Sequence, residues 1–270
     1  MKKKIFVIAA VLVSTLLIVS IIMIVSMNAE MRKNQEEFDS IASLIRKTET
    51  TDGILPVFII NTESPIKQKT EDITVSNNNY ARFGELYRRN SDFAAWIQIE
   101  DTKINYPVMI KPDVPDYYLG RDFDKNFSSS GSIYIDKSCD LESDNILIHG
   151  HNMRNGTMFA GLLKFEKEDY YKEHPTIQFD TMEESGKYDI VAAFREKVHY
   201  AKEKGVFRYY NYAGKLTKEQ YDEYVANCKK LCKYDTGITP EYGQQLITLS
   251  TCAYHTDNGR FVVLAVRRDD

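Results

Sequence analysis

The sequence predicts a mainly β domain, a closed barrel or sandwich of eight or more short strands, with helices at its N-terminal side and one helix late in the chain. Two observations support this class: short runs alternate between apolar and polar residues or are continuously apolar, and turn residues separate them. The strand candidates are 96–99, 104–109, 131–135, 145–149, 176–180, 187–194, 206–212, 245–250 and 261–266.

The N-terminus predicts a membrane anchor. Residues 5–27 carry no charge, and three lysines, Lys2 to Lys4, precede them. As a helix this segment is about 35 Å long, enough to cross a bilayer core. The lysines place residues 1–4 in the cytoplasm and the rest of the chain outside the cell membrane, as a single-pass protein. A cleaved signal peptide is the alternative, but its apolar region is normally shorter and 27–29 is a poor small-x-small cleavage site.

Composition limits the partners and the redox chemistry. The net charge is −4 even with the N-terminal lysines included, and no basic tract suggests nucleic acid. Four cysteines are too few for a disulfide framework, and Cys228 and Cys232 lie on one face of a predicted helix. An exported chain that keeps unpaired cysteines indicates that at least one thiol must stay free.

Residues 28–79 connect the anchor to the main domain, which we place at 80–270. Within the connection, 28–47 is predicted to be a stalk or packing helix, 54–60 is a short apolar run and 61–79 is a linker. The helix has one apolar stripe: Phe38, Ile41, Leu44 and Ile45.

Two helices are predicted within the main domain. The first is amphipathic, with apolar positions at Tyr80, Phe83, Leu86 and Tyr87. The second spans approximately 217–233, where Thr217 and Gln220 have the spacing of a capping box.

Near the C-terminus, Cys252 and Arg260 have the spacing of a hairpin. A β-prone segment ends at Cys252, a short polar loop follows, and Arg260 opens the next apolar strand. Such a hairpin places a thiol beside a permanent cation. A thiolate is the nucleophilic form of cysteine, and the oxyanion that it creates on a carbonyl needs a fixed positive partner.

His151 is the candidate acid and base, since it follows an apolar strand directly and histidine is the side chain best suited to proton transfer near neutral pH. Two other histidines remain open at this point. His149 shares a strand face with His151, and the pair with Cys252 suggests a zinc site, although no fourth ligand has suitable spacing, so no metal is expected. His255, three residues after Cys252, is a fallback base.

These motifs resemble the signature of the sortases, the cysteine transpeptidases of Gram-positive cell surfaces. The resemblance rests on the block Thr248-Leu249-Ser250-Thr251-Cys252, the block Gly150-His151-Asn152-Met153 and Arg260. The helical N-terminal extension and the late helix resemble class B. The resemblance covers roughly residues 80–268 and implies a closed sortase-type barrel of about eight strands with flanking helices.

The resemblance also implies roles: Cys252 as nucleophile, His151 as general acid and base, and Arg260 as the partner of the oxyanion and of the substrate backbone. Ser250 and Thr251 are expected to shape the pocket beside the thiol. Tyr118 and Leu119 either line the substrate groove or pack in the core. No acidic residue occupies the two positions after Cys252, so no carboxylate is assigned to orient His151.

The implied reaction cleaves a C-terminal sorting motif after threonine and leaves a thioacyl enzyme, with no cofactor. The acceptor is an amine of a peptidoglycan precursor or, in the alternative of a pilin-polymerising enzyme, a pilin lysine. Exported proteins that carry the motif are the expected partners. A non-catalytic surface scaffold is the alternative from another class. L,D-transpeptidases and papain-like proteases do not fit, because their histidine and cysteine have a different spacing or order.

Overall fold

Eight strands close into one barrel in the computed structural model, which describes residues 2–50 and 79–268. In spatial order the strands are β1-β2-β3-β4-β7-β8-β6-β5, and β5 pairs with β1 to complete the ring. Their bounds are β1 Phe93–Gln98, β2 Asn105–Met109, β3 Ile133–Ile135, β4 Asn145–His149, β5 Thr176–Thr181, β6 Ser185–Lys197, β7 Leu246–Cys252 and β8 Gly259–Arg267. The predicted fold class is confirmed.

The direction of three adjacent strands sets up one end of the barrel. β4 and β7 are parallel, so their C-terminal ends lie at the same end. β8 runs antiparallel to β7 and therefore begins at that end. Residues that follow β4, end β7 and begin β8 are brought together by this arrangement.

Four α-helices and three 3-10 helices accompany the barrel in the described part of the chain. The α-helices are α1 Lys2–Thr50, α2 Asn79–Arg89, α3 Glu168–Glu173 and α4 Lys218–Leu231, and the 3-10 helices are Tyr117–Gly120, Phe159–Glu166 and Tyr209–Tyr212. The predicted capping box at the start of α4 is confirmed, because the Thr217 side chain accepts from the Gln220 amide and the Gln220 side chain accepts from the Thr217 amide.

The prediction of a strand at 206–212 is wrong. These residues form irregular structure and a 3-10 helix. In a closed barrel every described strand already has two neighbours, so no edge is left for a ninth strand. The aromatic residues pack on α4 instead: the rings of Phe207 and Tyr212 lie 6.1 and 5.1 Å from that of Tyr224.

The two halves of α1 have different surroundings. The large apolar side chains from Val11 to Met27 are exposed, and by length and composition this helix could cross a membrane. Further along, Phe38, Ile41 and Ile45 are buried against the barrel, and the Phe38 ring meets that of Tyr106 edge to face at 5.3 Å. The predicted stripe is thus a packing surface. The predicted run at 54–60 and residues 61–78 of the linker lie outside the described residues.

Candidate active site

Cys252 and Arg260 face each other across the β7–β8 hairpin. Cys252 is the last residue of β7 and pairs in register with Arg260, the second residue of β8. The turn between them closes with a hydrogen bond from the Ala253 amide to the Gly259 carbonyl at 3.0 Å. The Cys252 thiol is unpaired and half-buried. The predicted hairpin is confirmed, and the thiol and the cation share one face of the sheet.

The Arg260 guanidinium rests on the main chain of its own turn. Its Nη1 donates to the Gly259 carbonyl at 3.0 Å and to the Asn258 carbonyl at 3.4 Å. In the described part of the chain no acidic side chain forms an ion pair with it. The hydrogen-bond acceptors of the guanidinium among the described residues are therefore neutral main-chain carbonyls.

Two buried tyrosines, Tyr209 and Tyr134, lie near the Arg260 guanidinium. The Tyr209 hydroxyl hydrogen-bonds to Ser250 Oγ at 2.8 Å, and burial raises the pKa of Tyr209 to about 12, with the charges of Arg260 and Cys252 among the smaller influences. Burial likewise raises the pKa of Tyr134 well above its usual range, while the Arg260 charge acts weakly against that rise. Both phenols are thus neutral neighbours of the cation at physiological pH.

His151 reaches the same end of the barrel through the β4–β7 register. His149 is paired with Ser250, so the chain two residues further on is level with Cys252. Two hydrogen bonds keep the segments together: the Gly150 amide donates to the Ser250 carbonyl at 3.2 Å, and the Thr251 side-chain Oγ1 donates to the Gly150 carbonyl at 2.7 Å. The three predicted catalytic residues therefore lie at one edge of one sheet.

Gly150 is required by this close packing. A Cβ at this position would lie 2.4 Å from the Ile133 side chain and 2.7 Å from that of Phe159. A larger residue would push the chain away from the core, and His151 would move with it.

Asn152 is a residue of the site for which the sequence indicated no role. Its side-chain amide donates to the main-chain carbonyl of Cys252 at 2.8 Å. This bond ties the chain after His151 directly to the main chain of Cys252. The available signal was its position immediately after His151, but only the fold shows what it binds.

His149 is engaged elsewhere. Its Nε2 lies 3.0 Å from Asp136 Oδ2, and its ring packs against Tyr134 with centroids 5.3 Å apart. Burial alone would raise the pKa of Asp136, but hydrogen bonds from His149 and Ser138 hold it well below its usual range. Within the described ranges, no group of three or more residues is arranged to hold a metal ion. The zinc alternative thus gains no support, and His255 lies exposed in the β7–β8 turn.

The predicted substrate-binding residues take different positions. Ser250 and Thr251 are 2% exposed, and their hydroxyls hold the neighbouring segments at Tyr209 and Gly150. Tyr118 is 1% exposed, and its hydroxyl donates to Asp92 Oδ2 at 2.7 Å, so its side chain has the packing role. Leu119 is 45% exposed, and its carbonyl oxygen lies 2.8 Å from His151 Nε2.

Glu196 is a second residue that the sequence did not indicate. It is paired with Arg260 across β6 and β8, one strand further from Cys252. Its carboxylate accepts from the Lys197 amide at 2.9 Å and lies 3.1 Å from His199 Nε2, while Glu203 lies 3.1 Å from the other ring nitrogen. The predicted strand ended at Phe194, so this position appeared to lie in a loop.

Comparisons with known proteins agree with the geometry. A family model described as a sortase domain matches residues 97–268. Sortase B of Listeria monocytogenes is 28% identical over 201 residues, which are 72% of this chain and 78% of that protein. The solved structure of Clostridium perfringens sortase B is 31% identical, with a TM-score of 0.59, and the match covers 69% of this chain and 99% of that one. A Staphylococcus aureus sortase B–substrate complex, 20% identical, has the same fold with a TM-score of 0.69 over 89% of this chain and 99% of that one.

Proposed function

Because the chain belongs to the class B sortases, a group of cysteine transpeptidases, we propose that Cys252 is its nucleophile, His151 its general acid and base, and Arg260 the partner of the oxyanion. The observation that carries this proposal is the strand arrangement. Parallel β4–β7 pairing and the β7–β8 hairpin bring these three residues, which are 109 positions apart at most, to one end of the barrel.

In the first step the Cys252 thiolate attacks the carbonyl that follows threonine in a C-terminal sorting motif. The S–C bond forms and the C–N bond breaks, and the His151 imidazolium gives its proton to the departing amine. A thioacyl enzyme remains, with the N-terminal part of the substrate attached through the threonine carbonyl. Passing through a thioester divides one difficult amide exchange into two easier steps.

In the second step an amine attacks the thioester. His151 takes the proton that the amine loses, the new amide C–N bond forms, and the Cys252 thiolate leaves. The proposed acceptor is an amine of a peptidoglycan precursor. A solved sortase B complexed with triglycine and a sortase B–substrate complex support an amine acceptor and a peptide donor.

Arg260 acts on the negative charge that develops in both steps. Its present acceptors are two carbonyls of its own turn, which are neutral and weaker than an oxyanion. The guanidinium can therefore exchange them for the tetrahedral intermediate. Removing one such donor typically costs about 3 kcal/mol of transition-state stabilisation.

The apolar half of α1 is proposed to anchor the enzyme in the cell membrane, with the catalytic barrel on the outer side. Its exposed apolar side chains from Val11 to Met27 can contact the lipid chains of the membrane. The positive charges of Lys2 to Lys4 favour the cytoplasmic side for the N-terminus. This placement holds the barrel beside exported proteins and lipid-linked acceptors.

A peptide-library screen with the full-length enzyme in detergent micelles tests the proposal. We expect cleavage after threonine and transfer to an added amine, with loss of both in Cys252→Ala. Supplying a glycine oligomer and a lysine peptide in parallel separates the cell-wall acceptor from the pilin acceptor. Peptide cleavage by the Cys252→Ala variant at the rate of the unmodified enzyme would contradict the proposal.

A further inference from the structure

We propose that the main-chain carbonyl of Leu119, positioned by Gly131, holds His151 in the Nε2–H tautomer, so that Nδ1 is the ring atom that exchanges protons with the thiol and the amines. This inference rests on the proposed acid and base role of His151. It identifies the group that orients the imidazole, for which the sequence offers no carboxylate.

The acceptor decides the tautomer. His151 Nε2 lies 2.8 Å from the Leu119 carbonyl oxygen. A carbonyl oxygen has no proton to give, so the nitrogen must be the donor. A neutral imidazole carries only one N–H, and the lone pair is therefore on Nδ1. Proton exchange at Nε2 would require this bond to break first.

The carbonyl itself is held on both sides. It belongs to the 3-10 helix Tyr117–Gly120. The carbonyl before it, that of Tyr118, accepts from the Ser132 amide at 2.9 Å, and the carbonyl after it, that of Gly120, accepts from the Ser128 amide at 3.0 Å. The short helix is thus fixed to the segment 128–132 immediately before and after Leu119.

Gly131 permits this close contact. It has a φ of +56°, and a Cβ there would lie 2.5 Å from the Leu119 oxygen and 2.7 Å from the Tyr118 oxygen. Real Cβ atoms do not approach backbone oxygens so closely, so a side chain at 131 forces the Leu119 carbonyl or the backbone of residue 131 to shift. Gly131 is therefore a positioning residue, which acts on His151 through the main chain.

A neutral carbonyl suits the orientation of the His151 ring better than a carboxylate would. A carboxylate partner would attract a charged ring electrostatically, whereas a neutral carbonyl fixes orientation with a smaller electrostatic bias. His151 must both release and recover a proton in one turnover. A neutral orienting group leaves both protonation states accessible.

The first test measures the tautomer directly. We expect nitrogen NMR of ¹⁵N-histidine-labelled full-length enzyme in micelles, at a pH where the ring is neutral, to show the Nε2–H form at His151. The His151→Ala variant assigns the signal among the five histidines. An Nδ1–H form at His151 would overturn the proposal.

The second test weakens the acceptor without changing a side chain. Replacing Gly120 by glycolic acid converts the peptide bond that contains the Leu119 carbonyl into an ester, whose carbonyl accepts hydrogen bonds less well. We expect a mixed tautomer signal at His151 and a fall in kcat of about tenfold, with KM changed less than twofold. An unchanged tautomer together with an unchanged kcat would contradict the inference.

The third test compares two glycines. Gly131→Ala should lower kcat at least tenfold and alter the His151 signal. Gly237→Ala is the control, because Gly237 has a φ of +74° and open space where its Cβ would lie, so it shares the backbone strain without the clash. We expect that control to stay within about twofold. If Gly131→Ala folds and keeps both the tautomer and kcat, Gly131 has no positioning role.

The outcomes separate the inference from the proposed function. Full activity in His151→Ala would refute the acid and base role itself. Loss of activity in His151→Ala with no response to the ester would leave that role standing and refute the Leu119 carbonyl as its orienting group.

Discussion

The two histidines on either side of Gly150 are two residues apart and have opposite surroundings. His149 belongs to β4, packs on Tyr134 and binds the carboxylate of Asp136. His151 lies just beyond the strand and binds the neutral carbonyl of Leu119.

The difference bears directly on the separate roles that we propose for the two histidines. A carboxylate partner lowers the free energy of one charge state and joins the ring to the core. A carbonyl partner fixes the orientation of the ring and leaves the other nitrogen available. The same motif thus contains one residue that we expect to matter for stability and one that we expect to matter for turnover.

The largest expected effect is the loss of activity in His151→Ala. General acid and base catalysis typically contributes 10²- to 10⁴-fold, so we expect kcat/KM to fall by about 10³-fold. The free energy of unfolding should change by less than about 0.5 kcal/mol, because the ring is partly exposed. Peptide-cleavage kinetics and thermal unfolding measure the two quantities. Wild-type kinetics would redirect the base role to His149 or His255.

Arg260→Lys comes next, with an expected loss of about 10²-fold in kcat/KM. Lysine keeps the charge but lacks the planar fork that can bind an oxyanion and a second acceptor together. The fall should appear mainly in kcat, and steady-state kinetics check it. An activity within twofold of the parent enzyme would show that charge alone suffices and that the fork has no role.

His149→Ala should reverse the pattern of His151→Ala. Removing the ring leaves the Asp136 carboxylate without one of its donors, which should cost about 1–2 kcal/mol of unfolding free energy. Transpeptidation should stay within about threefold. Chemical denaturation of the variant at neutral pH measures the loss. A large fall in kcat with unchanged stability would mean that the two histidines have been assigned in the wrong order.

The sign of the pH dependence follows from the lowered pKa of Asp136. A carboxyl whose pKa is depressed on folding contributes stability that is complete above its unfolded value, about 3.9, and that is lost as the pH falls below it. The stability difference between the parent enzyme and His149→Ala should therefore shrink as the pH falls below about 4.

The smallest expected effect concerns the stability contribution of Glu37, whose carboxyl, unlike that of Asp136, has a buried oxygen without a hydrogen-bond donor among the described residues. Glu37 lies where α1 packs on the barrel, and the ion pair of this buried Oε1 with Arg89 is long, at 3.9 Å. Burial, and then the charges of Asp122 and Asp124, raise the pKa of Glu37 to about 7. A raised carboxyl pKa means that the folded state binds the proton more tightly, so stability falls as the pH rises from about 4.5 to 7.

Glu37→Gln should remove that pH dependence. We expect the Tm to rise by roughly 2–4 °C at pH 8, where the parent carboxyl is charged, and to be unchanged at pH 5, where it is protonated. Thermal unfolding at the two pH values checks this. An equal change at both values would show that the charge of Glu37 does not weaken the contact of α1 with the barrel.

The sequence predicted those parts of the site that depend on short-range patterns. The Cys252–Arg260 hairpin follows from strand and turn composition, and His151 from the strand before it. Long-range contacts were not predictable in this way. The Leu119 carbonyl is a main-chain atom 32 residues away, and the Asp136 partner of His149 depends on the β3–β4 pairing.

The incorrect prediction of a strand at 206–212 has a related cause. Its residues have strand propensity, but propensity does not indicate whether a sheet edge is available. Barrel closure depends on all eight strands together. Tyr209, within this segment, instead contributes its hydroxyl to Ser250 in β7.

The most direct test of the central claim is detection of the thioacyl enzyme. The full-length protein is incubated with a sorting-motif peptide in the absence of an amine acceptor and is then analysed by intact and proteolytic mass spectrometry. We predict a mass increase equal to the acyl fragment that ends at threonine, located on Cys252 and released when an amine is added. Cleavage of the peptide without an adduct on Cys252, or cleavage that persists in Cys252→Ala, would contradict the mechanism.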